Sequence, residues 1–298
     1  MGATFDDRDG FIWMNGGLIP WREAKLHVLS HALHYASSVF EGERCYSGKV
    51  YRIEEHTERL FFSAKALDMN IPFTAKEIID GTYAVLKANN LRDAYIRPVA
   101  WRGSELMGVG AQETRINLAI SAWVWGPYYG IDERLKGIRL QWSEWKRPSP
   151  ETEPVMAKAS GLYMICTISK HKAEREGYDD AMLLDYRGHV AEATGANVFF
   201  VMNGEIHTPT ADCFLNGITR RRVIEIARKR GYKVIERAMM PEELAKAQEC
   251  FLTGTAAEVT PVREIGQYKF TPGEVCRTLM SAFDEEVGKV IQAKSSAA

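Results

Sequence analysis

Residues 11–21, F-I-W-M-N-G-G-L-I-P-W, form two short apolar runs around Asn15-Gly16-Gly17, which predicts a β-hairpin. Cys45 to Ile53 repeats the pattern around Ser47-Gly48. From His56 to Met69 the period changes: Leu60, Phe61, Ala64 and Leu67 recur at helical spacing, which predicts an amphipathic helix carrying Arg59 beside its buried stripe. Thr74 and Glu77 form the ends of a capping box, so a second helix is expected over about 75 to 90. Two apolar strands follow, Ala94 to Trp101 and Ile116 to Trp125. The first half thus reads as a sheet packed with two helices.

The segment G-P-Y-Y-G at 126–130, followed by Asp132-Glu133-Arg134, interrupts the pattern and predicts a domain linker at 126–137. Beyond it, Ile138 to Trp145 is strand-like and Gly161 to Arg175 helical, ended by Gly177. Asp180 to Asp185, His189 to Ala193, Asn197 to Met202 and Glu205 to Thr208 predict a meander turned at Arg187-Gly188 and Asn203-Gly204. A helix over 219–230 stops at Gly231, and strand 233–238, a short helix after Pro241 and strand Glu249 to Thr253 follow. Thr271-Pro272-Gly273-Glu274 predicts a last helix with a capping box and a proline at its first position. This implies an α+β chain of two domains: a smaller N-terminal domain (1–125) and a larger, mostly antiparallel, barrel-like C-terminal domain with helices (138–298).

Composition narrows the function. At 298 residues and 46% hydrophobic, the chain is long enough for two cores. A formal net charge of -1 gives no electrostatic footprint for nucleic acid or an anionic membrane. The cysteines at 45, 166, 213, 250 and 276 contain no C-x-x-C pair, so neither a zinc knuckle nor a disulfide framework is indicated, and a cytoplasmic location is expected. The first ten residues, M-G-A-T-F-D-D-R-D-G, contain no apolar h-region and no later run approaches about 18 uncharged apolar residues, so an unsecreted protein is expected.

Some residues stand out chemically. Lys158 is the only charge between Glu153 and Lys170, so it either snorkels from a half-buried segment or is desolvated. A desolvated lysine offers the free amine that Schiff-base chemistry requires. Glu192 is similarly isolated. It is either satisfied by local hydrogen bonds or, with Lys158, fits pyridoxal phosphate, whose pyridine nitrogen needs a carboxylate to stay protonated. Gly217-Ile218-Thr219 opens a helix and offers a phosphate its amides, unless Thr219 merely caps that helix. The small-residue turn Gly254-Thr255-Ala256 either receives a ligand on its backbone or simply ends a strand. Arg59 has two possible partners, Glu55 one turn away or a phosphate. His27, His31 and His34 have helical spacing, but no nearby acid or cysteine completes a metal set, so packing is expected and no metal.

Glu192-A-T-G-A-Asn197-V-Phe199, then Ile206-H-Thr208, then Leu215-N-Gly217-Ile218-T-Arg220, resembles the signature of the class IV (fold type IV) pyridoxal-phosphate aminotransferases. H-A-L-H-Y-A-S-S-V-F-E-G (31–42), E-H-T-E-R-L (55–60), A-Y-I-R-P-V (94–99), W-G-P-Y (125–128), A-K-A-S-G-L-Y (157–163) and G-T-A-A-E-V-T-P-V (254–262) are similar to the branched-chain amino-acid aminotransferases. The resemblance implies transamination of leucine, isoleucine and valine with 2-oxoglutarate, with a D-amino-acid or (R)-amine aminotransferase or an aminodeoxychorismate lyase as alternatives. It implies Lys158 as Schiff-base lysine and catalyst. Tyr163 would bind the cofactor's phenolic oxygen, Glu192 its ring nitrogen, and Leu215 its ring face. Arg59, Gly217, Ile218, Thr219, Gly254 and Thr255 would hold its phosphate. The resemblance further implies that Tyr95, Thr255 and Ala256 receive the α-carboxylate, that Phe40, Val109, Trp125, Tyr128 and Tyr163 wall the side-chain pocket, and that Tyr35 and Arg97 receive the distal carboxylate of glutamate. A homodimer sharing pocket residues follows. Arg102 departs from the pattern, and either widens acceptor scope at the pocket mouth or faces solvent.

Overall fold

The computed structural model describes residues 4–124 and 134–289. Trp125, Tyr128 and most of the expected linker lie outside the described residues. The chain divides into two compact units, Met1–Gly126 with Pro150–Met164, and Pro127–Ser149 with Ile165–Ala298. The sequence order had put Pro150–Met164, and with it Lys158, in the C-terminal domain.

The first unit contains strands β1 (Phe11–Met14), β2 (Gly17–Pro20), β3 (Ser38–Phe40), β4 (Glu43–Tyr46), β5 (Lys49–Val50), β6 (Ala94–Arg102) and β7 (Ile116–Trp123). They form one sheet in the order β2-β1-β7-β6-β4-β5, with β3 also paired to β6. Along β7 burial alternates, so Ile116, Leu118, Ile120 and Ala122 face the core. Leu60 and Ala64 of helix α2 (Ile53–Ala66), and Ile78, Val85 and Leu86 of α3 (Ala75–Ala88), belong to the same core. The Thr74–Glu77 capping box forms as expected. A short helix α1 (His31–Tyr35) and strand β3 lack a readable period and were not anticipated.

The second unit contains β8 (Ile138–Arg147), β9 (Asp180–Asp185), β10 (Val190–Ala193), β11 (Asn197–Met202), β12 (Glu205–Thr208), β13 (Val234–Glu236), β14 (Glu249–Gly254), β15 (Glu258–Ile265) and β16 (Tyr268–Lys269). The circuit β10-β9-β8-β15-β14-β11 closes through β10–β11 pairing, giving a barrel in which antiparallel pairs outnumber parallel ones. Closure leaves no edges within the circuit. All six residues of β11 are buried, which explains its unbroken apolar run. Helices α4 (Met164–Arg175), α5 (Ile218–Lys229) and α6 (Glu274–Glu286) are among the described helices that accompany this barrel. The residues expected to open the 161–175 helix instead form a 3₁₀ turn, Ser160–Tyr163, in the first unit. Strand β15 was missed, its apolar pattern broken by Pro261 and Arg263.

The expected Thr271 capping box does not form: α6 begins after Gly273, with no side-chain cap from that residue. The carboxylate of Glu249, on β14, accepts the N–H groups of Gly273 (3.1 Å), Val275 (3.2 Å) and Cys276 (2.8 Å) instead. A Cβ at position 273 would lie 2.5 Å from Glu249 Oε1, so the close approach requires glycine. A carboxylate from a neighbouring strand thus satisfies the orphan amides more completely than a threonine hydroxyl would.

Candidate active site

In the first unit, the Lys158 main chain is fixed on both sides. Its N–H donates to Ser63 Oγ of α2 (2.9 Å), and its carbonyl accepts from the Phe40 N–H of β3 (3.1 Å). The side chain donates from Nζ to the Tyr163 hydroxyl at 2.8 Å and lies 4.9 Å from the Phe40 ring centre, with Phe40 and Tyr163 packed edge to face. Burial, reinforced by the nearby Arg59 charge, pushes the amine down to about 8. Such a lysine has a substantial neutral fraction near neutral pH, as nucleophilic attack requires.

Arg59 pairs not with Glu55, which bonds to Arg52, but with the fully buried Glu41. Its Nε donates to Glu41 Oε1 (2.6 Å) and its Nη2 to Oε2 (2.7 Å), while His56 Nδ1 lies 2.7 Å from the same Oε2. The geometry is a bidentate fork, which fixes the guanidinium plane and leaves Nη1 for an anion. Burial raises the cost of charge on Glu41, yet the Arg59 charge and hydrogen bonds outweigh it and hold the carboxyl well below its usual range. Burial pushes the His56 imidazole down.

Glu43, two residues along and also buried, behaves oppositely. Burial and the Glu41 charge push its carboxyl well above the ordinary 4.5, and its Oε2 has no hydrogen-bond partner among the described residues. The folded state therefore binds a proton there that the unfolded state releases above 4.5, so stability falls as pH rises. The isosteric Glu43→Gln variant should unfold at a higher temperature than wild type, by a margin wider at pH 9 than at pH 5. A constant or shrinking margin in thermal melts would contradict a neutral buried acid.

Tyr95 and Arg97 lie on β6 beside Phe40. Arg97 Nη2 donates to the Tyr95 hydroxyl (3.0 Å), and its guanidinium carbon stands 4.7 Å from the Phe40 ring centre. Its buried Nε has no partner among the described residues, a donor left for a ligand. Tyr35 and Val109 sit elsewhere in the unit: Tyr35 stacks on His31, and Val109 is 85% exposed on the loop after β6. Arg102 matches neither expectation, because it is buried and its guanidinium bonds to backbone carbonyls.

In the second unit, sheet register gathers the other candidates. Glu192 of β10 pairs with Asn197 of β11, which pairs with Thr253 of β14, so three adjacent strands present these residues side by side. Asn197 Nδ2 donates to Glu192 Oε2 (3.2 Å) and to the Leu215 carbonyl (3.0 Å), and its Oδ1 accepts the Gly217 N–H (3.2 Å). One asparagine therefore ties the carboxylate to the start of α5. A Cβ on Gly217 would fall 2.3 Å from Asn197 Oδ1, so only glycine fits. Arg147 Nε stands 3.4 Å from Glu192 Oε1 and supplies a buried counter-charge.

The N-cap of α5 is Gly217, with no side-chain cap, so Thr219 lies inside the first turn rather than capping it. The uncapped amides and the positive end of a 12-residue helix favour an anion. Gly254 ends β14, and Thr255 and Ala256 turn toward β15 with Ala256 exposed. Thr253 Oγ1 is buried without a partner among the described residues.

Each unit, taken by itself, offers groups that suit part of a phosphorylated, cationic aldehyde cofactor: the first a depressed amine, an orphan guanidinium nitrogen and a locked arginine, the second a paired carboxylate and an uncapped helix start. Sequence reasoning missed Glu41, His56, Asn197 and Arg147. Asn197 lies inside the signature, whereas Arg147 is 45 positions from Glu192 and carries no local signal.

Residues 38–265 match the family described as Amino-transferase class IV. The probable branched-chain-amino-acid aminotransferase of Rickettsia felis is 42% identical, over 94% of this chain and 96% of that protein. The branched-chain-amino-acid aminotransferase of Pseudomonas aeruginosa is 42% identical, over 90% of this chain and 88% of that protein. Among solved structures, the branched-chain aminotransferase of the thermophilic archaeon Thermoproteus uzoniensis, with norvaline, superposes with a TM-score of 0.88. It is 36% identical, over 94% of this chain and 95% of that one. With the signature, the lysine and the whole-chain likeness in agreement, the chain belongs to the class IV aminotransferases.

Proposed function

We propose that the protein transfers the amino group of leucine, isoleucine or valine to 2-oxoglutarate, using pyridoxal 5'-phosphate. The observation that carries this reading is the Lys158 amine, pushed down to about 8 and held 2.8 Å from the Tyr163 hydroxyl. The cofactor supplies the electron sink that makes the substrate Cα proton acidic. Lys158 takes that proton and returns one to the cofactor side, acting as base and then acid. Tyr163 orients the amine and hydrogen-bonds the phenolic oxygen. Glu192, with Arg147 behind it, keeps the ring nitrogen protonated. Arg59 and the backbone at Ile218, Thr219 and Thr255 hold the phosphate, and Leu215 packs on the ring. Tyr95 and the Thr255-Ala256 turn take the α-carboxylate, while the Phe40 and Tyr163 rings exclude water from the side-chain pocket.

We further assign Arg97 and Tyr35 to the distal carboxylate of glutamate. The exposed apolar positions Leu33, Tyr35, Leu106 and Val109 support a homodimer in which this surface meets the second copy. Five free buried cysteines fit a cytoplasmic location, and no described helix is long and apolar enough to cross a membrane. A half-reaction survey by absorbance checks the reading. L-leucine, L-isoleucine, L-valine and L-glutamate should each convert the bound cofactor to its aminated form, and D-leucine should not. Conversion by D-amino acids alone, or by none, would overturn it.

A further inference from the structure

Arg102, which stood apart from the sequence pattern, lies at the end of β6 with 7% of its surface exposed. Its Nη1 donates to the Ala111 carbonyl (3.1 Å), and its Nη2 to the carbonyls of Leu67 (3.4 Å) and Asp68, just beyond α2. One guanidinium therefore clasps the far end of the 103–111 loop to the C-terminus of a core helix, where the helix dipole favours a cation. A second clasp holds the middle of the loop. His31 Nε2 lies 2.8 Å from the Gly108 carbonyl and Nδ1 2.6 Å from the Ser37 hydroxyl. A carbonyl only accepts, so Nε2 carries the proton in this bond, and the Ser37 hydroxyl, which can donate or accept, completes the pairing at Nδ1. The same imidazole stacks on Tyr35, ring centres 4.5 Å apart, and the His31 N–H donates to the Gly103 carbonyl (2.7 Å).

The loop so held exposes Leu106, Met107 and Val109, and beside it Tyr35. Exposed apolar side chains on a segment pinned at Gly103, Gly108 and Ala111 are pre-organised for contact rather than left to fluctuate. We propose that Arg102 and His31 are positioning residues that hold Tyr35 and the 103–111 loop as one preformed wall, which the proposed homodimer presents to the substrate side chain in the second copy. Arg102 thereby sets KM for the amino acid without touching it. This rests on the transaminase reading and on Val109 and Tyr35 facing substrate.

The test compares wild type with Arg102→Met and Arg102→Lys, using whichever L-amino acid the wild type converts in the absorbance survey. If none converts, the transaminase reading fails first, and the two failures are distinguishable. Arg102→Met should raise KM about tenfold, since small misplacements remote from the chemistry carry effects of this order. The kcat and the affinity for pyridoxal phosphate should stay within about twofold of wild type, and hydrogen exchange over 103–111 should quicken. Arg102→Lys keeps the charge but loses the fork, so its KM should fall between the two. The lysine variant alone decides if the methionine variant does not fold. An unchanged KM overturns the proposal, as does a rise in KM accompanied by comparable losses of cofactor affinity, kcat and melting temperature.

Discussion

Replacing Lys158 with alanine should abolish the visible absorption band of the bound cofactor and lower transamination by about 10⁴-fold or more, because nucleophile and proton carrier are lost together. Reconstitution adds a pH signature. Only the neutral amine condenses with the aldehyde, and burial with the Arg59 charge places that amine at about 8. The rate at which apoenzyme captures pyridoxal phosphate should therefore climb about tenfold per pH unit below 8 and flatten above it. An amine at its ordinary value of 10.5 would still be climbing at pH 9. Turnover by Lys158→Ala within an order of magnitude of wild type would remove Lys158 from the chemistry. A tight, non-covalent complex in that variant would not, since the phosphate contacts proposed for Arg59 and for the start of α5 remain.

The second large effect is expected at Glu41. Substituting glutamine leaves Arg59 buried without its counter-charge and His56 without its anionic partner, and breaking a buried pair from one side costs about 3–5 kcal/mol. The sign with pH follows from the carboxyl being depressed in the folded state. Its stabilising contribution is complete above the ordinary 4.5 and lost as pH falls toward the folded value, so wild type and Glu41→Gln should converge in acid. Added pyridoxal phosphate, or inorganic phosphate alone, should restore part of the loss at neutral pH, because an anion at Arg59 Nη1 replaces the missing charge. Chemical denaturation with and without phosphate reads this directly. A loss below about 1 kcal/mol, or no phosphate effect, would mean that the pair neither carries stability nor positions Arg59 for an anion.

The Glu41 network also shows where the sequence stops being readable. Local features were accessible: the Asn15-Gly16 hairpin, the Thr74–Glu77 cap, the amphipathic stripe of α2 and the apolar run of β11 all formed where periodicity and turn chemistry placed them. Isolation of Lys158 and Glu192 among apolar neighbours made them candidates for chemistry, and the signature around Glu192 carried the family. These signals are short-range: each is set by residues within a turn or two along the chain.

The partners of the charges were not accessible. Glu41 meets Arg59 across 18 positions, Glu192 meets Arg147 across 45, Glu249 caps a helix beginning 25 residues later, and Arg102 reaches back to Leu67. Each pairing is fixed by strand register and helix packing, which no local window contains. Sequence alone therefore determined where chemistry was to be sought: a lysine and a glutamate without neighbouring charges, and a glycine opening an arginine-rich helix. Tertiary structure decided the electrostatic state of each. Burial sets the cost of a charge, and only the folded arrangement settles whether a counter-charge offsets that cost, as at Glu41, or does not, as at Glu43.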